Sequence, residues 1–107
     1  MTEQNNEPDR EDLNRKNVYI LRLFITGASP NSSRAIANLK EICEMHLKGN
    51  YELEIIDVYQ QPLIAQSEQV IALPMLIKMS PSPVRRLIGD MSDTEKVLRG
   101  LGLPVAN

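Results

Sequence analysis

The 107-residue chain has no tryptophan, a single phenylalanine and a single cysteine. One thiol, Cys43, excludes an intramolecular disulfide and any site built from several cysteines. Aromatic residues amount to only 4%, so a core has to rest on Leu, Ile, Val, Met and Ala. No apolar run approaches the roughly 18 residues that span a bilayer, and the polar N-terminus has no apolar secretory segment. No membrane association is therefore expected, and the cytoplasm is the expected compartment. Strong charge of one sign is missing too. The formal net charge of −2 resides in residues 1–17, where five acidic side chains face three basic ones, and the remainder is neutral. That balance gives no nucleic-acid footprint. The one histidine, His46, has no second His or Cys at ligand spacing, so neither a metal nor a cofactor is expected.

The chain that remains is sufficient for one domain with a single core. Residues 1–17 are nearly devoid of apolar side chains and predict a disordered arm; residues 18–107 form the domain. A nearly continuous apolar run over 18–26 predicts a strand buried on both faces. Ser29 then caps a helix with Pro30 at its first position. The apolar residues Ile36, Leu39, Ile42, Cys43 and Leu47 recur at helical spacing, and Gly49-Asn50 closes the segment. Residues 51–59 begin with clean alternation and predict a second strand, which completes a βαβ unit. A second helix is expected over 62–71, then strands at 74–79 and 84–88 around Ser80-Pro81-Ser82-Pro83. Ser92 and Glu95 fit a capping box for a last helix. Gly100 and Gly102 weaken the end of that helix, and Pro104 stops it.

The order β-α-β-α-β-β-α is the thioredoxin-like pattern. In such chains the turn at Ser29-Pro30-Asn31-Ser32 would carry redox-active cysteines, because a helix N-terminus stabilises a thiolate. Here it carries none. A thiol oxidoreductase or peroxidase is thereby disfavoured, and so is serine catalysis, since no His/Asp arrangement accompanies these serines. Leu73-Pro74 falls where the pattern places a cis proline, and that isomer is expected.

Several blocks make the resemblance narrower: Tyr19-Ile20-Leu21-Arg22-Leu23 with Gly27, Pro30-Asn31-Ser32 with Arg34-Ala35, and Ile56-Asp57-Val58. Ala72-Leu73-Pro74, Pro83-Val84-Arg85-Arg86, Ile88-Gly89-Asp90 and Lys96-Val97-Leu98 followed by Gly100-Leu101 complete the set. Over about residues 18–103 the chain resembles the KaiB family, small partners of the KaiC ATPase in the circadian oscillator. The resemblance implies a non-enzymatic regulator that binds a KaiC-like ATPase ring, in circadian timing or stress adaptation. It also implies self-association as a dimer or tetramer.

Family members are metamorphic, so the resemblance implies either the thioredoxin-like fold or a ground-state order β-α-β-β-α-α-β. Residues 18–58 would then be a constant half and 59–103 a switching half. Pro74, Pro81, Pro83, Gly100 and Gly102 are the fold-switch candidates; five of the seven prolines lie in 59–104. Tyr19, Arg22, Arg34, Arg85 and Arg86 are the candidates for partner or oligomer contact. Arg85 and Arg86, adjacent on a strand, must point to opposite faces. Two departures stand out: Gly102 occupies a position often acidic in the cyanobacterial proteins, and their acidic C-terminal extension is missing. The alternative is a thioredoxin-like sensory module resembling the N-terminal domain of the KaiC-binding histidine kinase, although no kinase segment is present here.

Overall fold

A computed structural model describes residues 18–105; the expected arm over 1–17 lies outside the described residues. The elements follow the predicted thioredoxin-like order, not the alternative one. They are β1 (Tyr19–Ile25), α1 (Pro30–His46), β2 (Tyr51–Asp57), α2 (Pro62–Ser67), β3 (Met75–Ser80), β4 (Arg85–Ile88) and α3 (Thr94–Leu101). The four strands form one sheet in the order β2-β1-β3-β4. β1 runs parallel to β2, while β1 with β3 and β3 with β4 are antiparallel. The nearly continuous apolar run thus sits between two strands, as its composition demands.

Alternation along β1 divides the core in two. Leu21, Leu23 and Ile25 join Ala35, Leu39, Ile42, Cys43 and Leu47 of α1 and Val97, Leu98 and Leu101 of α3 in the larger cluster. On the other face, Phe24, Ile56, Met75 and Ile77 form a smaller cluster covered by residues around α2.

Local chemistry explains where the helices begin and end. The Ser29 side chain accepts from the Ser32 N–H, with Pro30 in the first turn, as predicted. α2 is shorter than the expected 62–71: Glu68 is its C-cap, and Gln69 turns to a left-handed φ of 57°. The polar stretch 66–69 offers no apolar face to continue the helix against the sheet. α3 is capped by Asp93 rather than Ser92, its Oδ1 accepting from the Lys96 N–H at 3.1 Å. The Ser92 N–H is held by Asp90 Oδ1 at 3.0 Å, and Glu95 pairs with Arg99 at 3.5 Å instead of reaching back to the cap.

The glycines of α3 behave differently from the weak helix end that the sequence suggests. Gly102 closes the helix with a left-handed φ of 78°, a conformation glycine adopts without a Cβ penalty. Gly100 lets α3 approach β4 closely: a Cβ there would lie 2.5 Å from Leu87 Cδ1. The peptide bond before Pro74 is cis, as expected, and so are those before Pro81 and Pro83.

Candidate interaction site

At the end of β1 the chain turns into a closed network of hydroxyls. Ser29 Oγ donates to Ser32 Oγ at 2.8 Å and accepts from the Ser32 N–H at 3.2 Å. Ser32 Oγ in turn accepts from the Thr26 N–H at 3.1 Å, and Ser32 is fully buried. These hydroxyls are used by one another and by the backbone. His46 stands at the far end of α1, in its last turn. The arrangement caps a helix and supplies no activated nucleophile.

Nor does the thiol lie in reach of this turn's chemistry. Cys43 is buried in the larger core cluster, and burial, reinforced by the charge of Glu44, pushes its pKa up to about 12. A thiol so placed stays protonated and unreactive. The geometry of the turn nonetheless suits a dithiol, because its two side-chain oxygens already touch. The S29C/S32C double variant is expected to form a reversible intramolecular disulfide on mild oxidation. Thiol titration should then find Cys43 as the sole free thiol; persistence of all the thiols would contradict the expectation.

The arginines sort into three environments. Arg22 on β1 is half-buried and bridges two carboxylates, Glu54 at 3.2 Å and Glu68 at 3.3 Å. Arg86 on β4 donates from Nη1 to the Glu68 carbonyl at 2.7 Å, so Arg22 and Arg86 converge on one residue. Arg85 points to the opposite face, as alternation requires, where it stands across from Lys78 in the β3–β4 register. Arg34 lies apart from these on α1, with its Nε 3.3 Å from Asp90 Oδ2 and a further hydrogen bond to Asn31. Tyr19 packs half-buried against the larger cluster, and its N–H donates to the Asn50 carbonyl at 2.9 Å.

Asp57 and Asp90 serve turns, as their positions beside strand ends suggest. Asp57 Oδ1 accepts from the Tyr59 N–H at 2.9 Å. Hydrogen bonds from Ser92, and then Arg34, hold the Asp90 carboxyl below the usual aspartate range. Asn38 also donates to the Asp90 carbonyl, so α1 grips the β4–α3 loop at two points.

Lys78 is the residue that pattern reading missed. It is only 4% exposed, and its Nζ donates to the Pro81 carbonyl at 2.7 Å. Burial, aided by the charge of Arg85, lowers its pKa. The available signal was a lysine inside an apolar strand whose inward register it shares with Leu76. A buried cation facing a second cation costs stability. Lys78→Met is therefore expected to stabilise the fold by about 1–2 kcal/mol in chemical denaturation. Because the folded pKa is depressed, the cost is fully present below the folded pKa and is relieved as pH rises through it toward the ordinary lysine value. The gain from Lys78→Met should accordingly shrink in alkali.

Among the described residues, no group of three or more His, Cys, Asp or Glu is placed to hold a metal ion. No helix among them is long and apolar enough to cross a membrane. A cleft of about 490 Å³ beside β2 is lined by Lys40, Glu44, Tyr51, Leu53 and Ile55. Within it, the hydrogen bond to Glu44 pushes the Tyr51 phenol up to about 12. The cleft includes no residue of the serine turn.

Comparison with known proteins joins the fold to a family. The thioredoxin Deadhead of Drosophila melanogaster superposes with a TM-score of 0.66 over 91% of this chain and 90% of its own, at 12% identity. The N-terminal domain of Synechococcus elongatus SasA superposes with a TM-score of 0.66 over 85% of this chain and 90% of its own, at 22% identity. These likenesses establish the thioredoxin-like fold. In sequence, the circadian clock oscillator protein KaiB of Prochlorococcus marinus subsp. pastoris is 52% identical over 88 residues, covering 82% of each chain. The family model described as the KaiB domain matches residues 22–103. On the identity to that clock protein and the match across the folded region, the chain belongs to the KaiB family.

Proposed function

We propose that the chain is a non-enzymatic regulator that binds a KaiC-like hexameric ATPase ring and modulates its phosphorylation or ATPase cycle. The observation that carries this reading is the 52% identity to a clock oscillator protein on a thioredoxin-like frame whose turn holds hydroxyls in place of thiols. The SasA domain shares the fold at 22% identity, so the sensory-module alternative has the weaker support. Tyr19, Arg22, Arg34, Arg85 and Arg86 are the candidates for contact with the ring or between copies. Of these, Arg85 is the exposed cation whose side chain is least committed within the fold, since Arg22, Arg34 and Arg86 already have internal partners. We assign the protein to the cytoplasm, with a dimer or tetramer as its resting assembly.

The mechanism proposed is a population shift. The ring binds the thioredoxin-like monomer and draws it from an oligomeric ground state in which residues 59–103 are repacked, while residues 18–58 stay constant. A scarce competent state lowers apparent affinity in proportion to its population and introduces delay. Mass photometry of the chain with its cognate KaiC-like ATPase and ATP tests the binding. A complex of ring plus added subunits is expected, and no complex after hours would sink the reading.

A further inference from the structure

α2 is held to the sheet in an unusual way. It has six residues, none of them buried, and no side chain caps its N-terminus. The segment 58–73 around it nevertheless covers the smaller core cluster, through the half-buried Val58, Ile64, Ala65, Val70 and Leu73. The same segment leaves Tyr59 78%, Leu63 79% and Ile71 84% exposed. Apolar residues thus stand on its outside as well as its inside, which is the pattern of an element without one committed face.

The segment starts from a backbone tie to β1, the Val58 N–H donating to the Ile25 carbonyl at 3.0 Å; beyond it, side chains of the sheet hold the segment at Glu68. Glu68 accepts from Arg22 of β1 through its carboxylate and from Arg86 of β4 through its carbonyl. Immediately beyond, Gln69 takes a left-handed φ of 57°, so the chain swings away directly after the fastening. Arg22 remains paired with Glu54 if Glu68 departs, so release strands no charge on the sheet.

We propose that residues 58–73 form a strap over the Phe24, Ile56, Met75 and Ile77 face, latched at Glu68 by an ion pair from Arg22 to its carboxylate and a hydrogen bond from Arg86 to its carbonyl, and that it opens as a unit while the rest of the sheet stays folded. Opening bares the smaller apolar face. This goes beyond the ring-binding reading and is measured on the isolated chain, so failure of one is distinguishable from failure of the other.

Amide hydrogen exchange of the full chain tests the latch. The probes are the Ala65 and Val70 amides, which donate to Gln61 and to Ala65, against the β1 and α1 amides. Glu68→Gln is expected to speed exchange at Ala65 and Val70 about fivefold and leave β1 and α1 unchanged. Salt at 0.5 M should do the same to the unsubstituted chain, because the pair is partly exposed and screened, and should add little to the variant. Unchanged exchange at Ala65 and Val70 would overturn the proposal. So would equal acceleration in β1 and α1, which would report global loosening.

Discussion

Phe24→Ala is expected to remove about 4 kcal/mol of stability, the largest loss from any single truncation of this chain. Phe24 is the sole phenylalanine and the largest of the fully buried side chains. Its strand partners on either side are Ile56 and Met75, two of the three other members of the smaller cluster. A cluster of four cannot collapse far to refill the space, so most of the cavity cost is retained. Domains of this size are stable by about 5–15 kcal/mol, so the variant should sit near the edge of folding. Urea denaturation measures the loss. A cost below about 1.5 kcal/mol would mean that the segment over this face re-packs freely onto the vacated site.

Gly100→Val should cost about 2–3 kcal/mol, for the opposite reason. A Cβ at position 100 would lie 2.5 Å from Leu87 Cδ1 and 2.9 Å from Leu87 Cγ, so either the Leu87 side chain or α3 must shift, and Leu87 is packed against the larger core cluster. Helix propensity alone would predict a small gain, because glycine is the poorer helix former, so the sign of the effect separates packing from propensity. Leu87→Ala should rescue the variant in part, leaving a coupling of about 1 kcal/mol or more in a double-mutant cycle. The clash belongs to the thioredoxin-like arrangement. Gly100→Val is therefore also expected to weaken ring binding if that arrangement is the competent one, and unimpaired binding would argue that it is not.

Features set by neighbours along the chain are legible from the residues alone. The Ser29 cap with Pro30, the strand buried on both faces, and the opposed directions of Arg85 and Arg86 all follow from rules that span a few residues. The last helix shows where such rules fail. Ser92 and Asp93 are both good caps, and the choice falls to Asp93 because Asp90, fastened to α1 through Arg34, takes the Ser92 N–H. α2 stops early for a related reason, since Glu68 is engaged by side chains from β1 and β4. Gly100 reads locally as a defect; only the distance to Leu87 makes it a packing requirement. Lys78 is hidden in the same manner, because its burial depends on strand register and on the turn carbonyl of Pro81. Of the candidate site, the residues are legible but their partners are not. Arg22, Arg34 and Arg86 are candidates for partner or oligomer contact in sequence, and the structure gives each a partner within the fold.

The central proposal is that this protein acts by being captured in one of two packings. The most direct test follows the rate at which the chain loads onto its KaiC-like ring in ATP, as ring concentration rises. If capture of a scarce thioredoxin-like monomer limits loading, the observed rate should level off at a slow value that no longer depends on the ring. A rate that climbs in proportion to ring concentration throughout, or a ring that never loads, would contradict the account.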